Sequence, residues 1–306
     1  MPRVTAARQT TLKTAISCNG IGLHSGEKAS MTLRPAAPDT GILFERTDLS
    51  NGARLFPARY DYVADTFLCT TLKNASGATL ATVEHVMAAL SGCGIDNALV
   101  EVSGPELPIM DGSAEAFVFL IECAGIVECA APRRAVRVLR EVEVVDGDKR
   151  ATLRPSRLRS IACEIVYDNA RIARQRAGFV MTTETFKDEV ARARTFGLME
   201  EVDGLRANGL ALGGSLDNAV VVNGDKVMNE GGLRFHNEFA RHKVLDAVGD
   251  LALAGAPIIG AFEGYCSGHA LNVRLLKALF ASEDAWCWDT GAASAAWPDL
   301  PLAATA

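Results

Sequence analysis

An α+β fold with two similar domains, each a β-sheet packed with α-helices in two layers, is predicted by three features of this sequence. Alternating strand text opens each half of the chain, helical text follows it in each half, and Cys129-Ala-Ala-Pro-Arg-Arg134 breaks the pattern between them. A length of 306 residues agrees, because a single hydrophobic core usually stops growing at roughly one to two hundred residues.

From Thr10 to about Asp48 apolar residues alternate, and Gly20, Gly22, Gly26 and Gly41 punctuate them, so the chain begins as strands joined by tight turns. Thr82 to Leu90 (TVEHVMAAL) reads as a short helix, with Thr82 as its N-cap and Gly92 as its stop. Asn97 to Val102 follows as a buried strand, Pro105 to Gly112 as a loop and Ala114 to Ala124 as a second helix, which sets the first domain at 1–130. Strand text resumes at Ala135 (AVRVLREVEVV). A segment from Ala193 to Val222, a long helix from about Asn237 to Ala254, and strand and helix text to Phe280 complete a second domain at 135–281. No residue-level repeat relates the halves. After Ser282 the chain holds Trp286, Trp288 and Trp297 among alanine, proline and small residues, and a loosely docked tail is expected over 282–306.

Composition narrows the function classes. With 49% hydrophobic and 22% charged residues the chain should fold fully, away from the pattern of disordered segments. A net charge of −6 gives no support for a nucleic-acid scaffold, although a local phosphate pocket stays open. The eight cysteines are scattered without a C-x-x-C pair, so thiols in a reducing, cytoplasmic setting are expected. The amino terminus has no apolar run of the kind a signal peptide carries. The most apolar stretch, Leu251 to Phe262, is shorter than the ~20 residues a membrane span needs, and Gly255 and Pro257 interrupt it.

Chemistry concentrates where histidine meets carboxylate. In Arg241-His-Lys-Val-Leu-Asp-Ala-Val-Gly-Asp250, residues His242, Asp246 and Asp250 stand four apart and drift by only about 40° at each step of a helix, so they share one stripe with Lys243 beside it. Val244, Leu245, Val248 and Leu251 lie opposite and should pack on a sheet, leaving the polar stripe to face outward or into a cleft. Taken alone, such a stripe is more often a solvated helix face. A second pair, Glu84-His85, opens the short helix of the other half. Imidazole and carboxylate are ordinary zinc donors, a catalytic site wants three of them plus an open position, and two helices facing each other can supply them. Neighbouring helical positions point about 100° apart, so one of Glu84 and His85 can bind metal while the other meets its water.

The segments TVEHVMAALSGCGIDNALVEV, ELPIMDGSAEAF, ARTFG, GGSLDNAVVV, RHKVLDAVGDL and SGHALN, in this order from about Thr10 to Phe280, resemble the UDP-3-O-acyl-N-acetylglucosamine deacetylases, zinc amidases that commit material to lipid A. The resemblance implies a single catalytic Zn²⁺, with iron(II) as the other candidate ion, held by His85, His242 and Asp246. It implies Glu84 as general base, His269 as a cation serving the oxyanion or leaving amine, Asp250 as the carboxylate that holds His269, and Thr195 as an oxyanion donor. Lys243, Phe196, Phe67, Leu68, Cys69 and, as a ring for uracil, Tyr167 fall where the family touches its substrate. The segment at about 196–222, with Leu198, Leu205, Leu210 and Leu212, corresponds to the acyl-chain passage, and His24 in Gly-Leu-His-Ser-Gly to a supporting motif. Two departures stand out. Cys266 precedes Ser-Gly-His where relatives carry lysine, and His236-Asn237 replaces an acidic pair, with His236 expected at the surface. The implied partner is a UDP-linked acylated amino sugar, and a monomer is expected. Another zinc amidase acting on a different acetylated sugar nucleotide, and a metal-free binding homologue, remain the alternatives.

Overall fold

The computed structural model describes residues 7–50 and 52–290. Two five-stranded sheets organise them. The first runs in the spatial order Ile16–Ile21, Lys28–Pro35, Ala98–Val102, Ile42–Arg46, Leu55–Pro57, and the second in the order Val142–Asp146, Lys149–Arg154, Ala261–Tyr265, Ser160–Val166, Arg174–Val180. In each, the strand that comes last in sequence lies in the middle, antiparallel to one neighbour and parallel to the other. The halves therefore repeat one topology without repeating residues, and the predicted α+β class with two sheet-and-helix layers is the one found. Alternation explains the strands: Ala29, Met31 and Leu33 point inward from Lys28–Pro35, as Ile161, Cys163 and Ile165 do from Ser160–Val166.

Six helices accompany the sheets: α1 (Glu84–Gly92), α2 (Glu115–Ala124), the single turn α3 (Thr183–Thr185), α4 (Met199–Ala207), α5 (Glu238–Ala252) and α6 (His269–Ala281). Helices α1 and α5 each precede the central strand of their sheet, and α2 and α6 each follow it. The two equivalents α1 and α5 pack directly on each other. Their closest approach is at Gly249, where an added Cβ would stand 2.0 Å from the Glu84 carbonyl oxygen. Backbone pairing changes partners between Pro132 and Ala135: Ile126–Pro132 pairs with Arg8–Leu12, whereas Ala135–Val138 pairs with Ile258–Ile259 and Trp286–Asp289.

Three local expectations differ from what forms. Thr82 does not cap α1. It adopts φ 59°, Val83 takes the cap position without a side-chain bond, and the Thr82 hydroxyl donates instead to Glu106 Oε1 at 2.9 Å. The polar stripe of α5 faces neither solvent nor an open cleft, because α1 covers it and His242, Asp246 and Asp250 are all buried. The segment after Ser282 starts with an ordered strand, Trp286–Asp289, held by its ladder to Ala135–Val138, by Phe280 against Trp286, and by Arg137 Nε donating to Asp289 Oδ2 at 2.8 Å. Residues 291–306 of the expected tail, Trp297 among them, lie outside the described residues.

The helix contact makes Gly249 a point where one methyl group should matter. Replacing it with alanine improves helix propensity by about 1 kcal/mol but forces the helices apart, and overpacking of this kind costs about 1–3 kcal/mol. Gly249→Ala should lower the thermal midpoint and reduce activity by more than its loss of stability explains. A midpoint and turnover equal to those of the unmodified protein would show that the helices need not touch there.

Candidate active site

The first turn of α1 carries Glu84 and His85, and the middle of α5 carries His242 and Asp246. Where the helices meet, His85 Nε2 lies 3.6 Å and His242 Nε2 3.3 Å from the same atom, Asp246 Oδ1. All three side chains are buried, and their donor atoms lie within 4.8 Å of one another. Donors at about 2.0–2.1 Å from a tetrahedral zinc ion stand roughly 3.4 Å apart, so the spacing suits such an ion. Asp246 Oδ1 and His85 Nδ1 are buried with no hydrogen-bond partner, and an orphaned carboxylate oxygen facing two imidazoles is what a cation site leaves behind.

The surrounding groups orient these donors. His242 Nδ1 lies 3.1 Å from the Ala193 carbonyl, which fixes the tautomer that leaves Nε2 with a lone pair toward Asp246. Burial lowers the His242 pKa to about 3 in spite of Asp246, so the ring is neutral and able to ligate. Burial works to raise Asp246, yet His242 and Lys243 hold its carboxyl well below the usual carboxylate range. Lys243 Nζ donates to Asp246 Oδ2 at 2.8 Å, which turns the other oxygen toward the histidines. Two imidazoles and one carboxylate suit a divalent ion, and no other group of this kind occurs among the described residues.

Beside the triad lies a proton-handling pair. Glu84 is buried, its Oε2 accepts from the Thr70 amide at 3.0 Å, and its Oε1 stands 4.0 Å from His269 Nε2. That separation is too long for a hydrogen bond and leaves both atoms turned toward the same chamber. Burial raises the Glu84 pKa above the usual carboxylate value. His269, the first residue of α6, is held from behind by Asp250, whose Oδ2 accepts from His269 Nδ1 at 2.9 Å. Burial alone would lower its pKa, but the Asp250 carboxylate and then Glu84 outweigh that and lift it to about 9. His269 is thus a buried cation at neutral pH.

Thr195 lines the same chamber, its amide donating to Gly112 O at 2.8 Å and its carbonyl accepting from Val220 at 2.8 Å. The approach depends on Gly112, at φ +83°, where a Cβ would lie 2.0 Å from the Asn218 carbonyl oxygen. The chamber has a volume of about 30 Å³, space for a single water, and Leu68, Lys243 and His24 also line it. Phe196 sets its ring edge-on to His242, at 6.2 Å, and to Tyr167, at 5.8 Å, with Lys243 5.5 Å from its centroid. Phe67 and Leu68 are exposed near the mouth, and Leu68 holds φ 63°, a strained conformation for a branched side chain. Cys69 is buried, and burial together with Glu84 pushes its thiol up to about 12, so it is not a thiolate.

In the segment at 196–222, Phe196–Leu198 and Val220–Asn223 pair in parallel across α4, which has no fully buried residue. Leu212 is exposed and Leu198, Leu205 and Leu210 are half-buried, with Leu198 packed against the core. The Leu212 amide donates to the His24 carbonyl at 3.1 Å, so the segment is tied to the Gly-Leu-His-Ser-Gly loop. Both ring nitrogens of His24 are buried without a partner. His236 is exposed, and Cys266 sits at φ 47° immediately before Ser267.

Four structural participants have no counterpart in the sequence reading. Thr70 joins both halves, donating its amide to Glu84 and its hydroxyl to Asp250 Oδ1 at 2.6 Å. Asn272 donates to Asp250 Oδ2 at 2.9 Å. Glu106 accepts from the His24 and Ser25 amides, each at 2.8 Å, and from Thr82, thereby fixing both the His24 loop and the entry to α1. Glu238, fully buried, accepts from Arg194 Nε at 2.8 Å and anchors the start of α5 beside Thr195. Thr70 and Asp250 are 180 residues apart, and only the fold brings them together.

Comparison with known proteins agrees with this geometry. A sequence model described as UDP-3-O-acyl N-acetylglycosamine deacetylase matches residues 9–281. Among curated relatives, a UDP-3-O-acyl-N-acetylglucosamine deacetylase of Phenylobacterium zucineum is 50% identical over 278 residues, covering 91% of this chain and 95% of its own. Proteins of the same name from Chromohalobacter salexigens and Haemophilus influenzae are 51% and 48% identical over 281 residues, each covering 91% of this chain and 92% of its own. Identity of this extent, over nearly the whole of both partners, places the chain in the UDP-3-O-acyl N-acetylglycosamine deacetylase family.

Proposed function

We propose that this chain hydrolyses the N-acetyl amide of UDP-3-O-acyl-N-acetylglucosamine to acetate and the free amine, a step of lipid A biosynthesis, with a zinc ion held by His85, His242 and Asp246. Iron(II) would suit the same donors. The observation that carries this reading is the meeting of three buried donors, one carboxylate oxygen among them orphaned, with a carboxylate and an imidazolium on the rim of one chamber. When bound, the ion would polarise the amide carbonyl and lower the pKa of an attacking water.

The chain's own residues divide the remaining work. Glu84, its basicity raised by burial, takes the proton of the attacking water. His269 presents Nε2–H to the charge that develops on the carbonyl oxygen or to the departing amine, and Asp250 keeps it protonated. Thr195 offers a hydroxyl on the chamber wall. Lys243 orients Asp246, and with Phe196 and Tyr167 it forms a cationic and aromatic border suited to a sugar nucleotide. Leu205, Leu210 and Leu212, outside the core, fit an acyl chain laid along them. Eight free thiols fit a reducing, cytoplasmic setting, and no helix among the described residues is long and apolar enough to cross a membrane. Function as a monomer fits a site assembled wholly from one chain.

Three outcomes are expected. Glu84→Gln should retain stoichiometric metal yet lose about 10²–10⁴-fold in acetate release from the UDP-linked substrate, and full turnover would remove Glu84 from the proton transfer. Dialysis against a chelator should abolish that release and zinc should restore it; activity that persists in metal-free protein would overturn the assignment. The His269 cation, with a pKa lifted to about 9, is present below that pH and lost above it, so activity should fall as pH rises through the value. Asp250→Asn removes the lifting charge and should shift this alkaline limb toward the ordinary histidine value; an unmoved limb assigns it to another group.

A further inference from the structure

A much larger cavity, about 410 Å³, lies between the two halves at the opposite end of the α1–α5 pair. Met87 and Ser91 from the later turns of α1 line it, as do Leu251 and Ala252 from the end of α5, and none of its lining residues borders the metal chamber. Its volume is within the range of small-molecule sites, which the chamber at the histidines is not.

Charge distinguishes this cleft from the rest of an acidic chain. Four arginines line it against two carboxylates. Arg133 donates from Nε to Asp96 at 2.8 Å, and Arg59 is engaged by Asp61 at 2.8 Å. Asp39 is occupied by Gln9 Nε2 at 2.7 Å. Arg159 and Arg134 have no carboxylate partner among the described residues. Arg159 donates only to the Ser91 hydroxyl at 2.9 Å, and the Arg134 guanidinium lies 4.3 Å from the centroid of the Trp288 ring. Burial, and then the neighbouring Arg133, push Arg159 down to about 10, as expected for a cation whose surroundings supply no countercharge.

Aromatic surface stands beside these charges. Trp286 and Trp288 meet edge to face at 5.4 Å, Phe280 packs on Trp286 at 4.9 Å, and Trp288 remains partly exposed. The indole N–H of Trp286 is buried with no acceptor, away from the cavity surface. Two guanidinium groups without carboxylates and a flat ring face together match one kind of ligand.

We infer that this cleft is a second binding site, distinct from the metal chamber, for an anion carried on a planar aromatic body, in its simplest form an aryl phosphate. The phosphate is taken by Arg159 and Arg134, and the ring lies beside Trp288. Strands and helix ends of both halves line the cleft, so a bound ligand bridges the halves and stabilises the folded chain by mass action. The inference does not rest on the proposed reaction.

Phenyl phosphate titrated into the metal-loaded protein, followed by tryptophan fluorescence and by the thermal midpoint, tests it. Saturable quenching and a rising midpoint are expected, with inorganic phosphate and phenol each binding at least about tenfold more weakly, because either lacks half of the recognition. Arg159→Gln and Arg134→Gln should each weaken binding about tenfold while acetate release without the probe is unchanged. Arg134 is exposed, so its variant decides the matter even if Arg159→Gln fails to fold, which circular dichroism would show. Quenching that never saturates, or affinity untouched by Arg134→Gln, would each overturn the second site.

Discussion

The contact between α1 and α5 at Gly249 is the constraint on which the rest of this structure depends. Only a residue without a side chain lets the α5 backbone approach the Glu84 carbonyl so closely, and that approach places Asp246, three residues earlier, between two imidazoles from different halves. A helix pair held at ordinary spacing by larger residues would separate His85 from Asp246 by more than one metal ion spans. The strain around the contact is local. Thr82 at φ 59°, just before α1, is tolerated because Glu106 secures its hydroxyl, and the same carboxylate secures the His24 loop across the chamber.

Electrostatics complete what packing begins. Six ionisable side chains, Glu84, His85, His242, Asp246, Asp250 and His269, are buried together where three helices meet, a density that an apolar core would not bear without compensation. The compensation is divided. Asp250 is fully engaged by Thr70, His269 and Asn272, and so acts as a fixed negative charge behind the imidazole. Asp246 is satisfied on one oxygen by Lys243 and left open on the other. One carboxylate is therefore fully engaged and its neighbour one helical turn away keeps an open oxygen, although both lie on the same stripe of the same helix.

That division marks the limit of what the sequence could reveal. The four-residue spacing of His242, Asp246 and Asp250 makes the stripe legible, and Glu84-His85 at the start of a short helix makes the second half of the site legible, since both follow from helical geometry. The burial of the stripe was not legible, because nothing in Val244, Leu245 and Val248 indicates that a second helix covers the other face. Thr70 and Glu106 were missed for a related reason: a threonine in a loop and a glutamate just after a proline have no periodicity, and their partners lie far away in sequence. The strand at Trp286–Asp289 hid in an alanine-rich context, and its order comes from a ladder partner about 150 residues earlier.

The repeated topology explains why both ends of the helix pair matter. The helices α1 and α5 occupy equivalent positions in two copies of one sheet arrangement, and a gap lies at each end of the pair. Residues have diverged to fill the gaps differently. Histidine and carboxylate converge on one side until little more than a water fits, whereas serine, methionine and alanine on the other leave a cleft into which arginine and tryptophan project. At the larger cleft the last turn of α1 offers the Ser91 hydroxyl to Arg159, so the two ends of the helix pair differ in chemistry because different side chains border them.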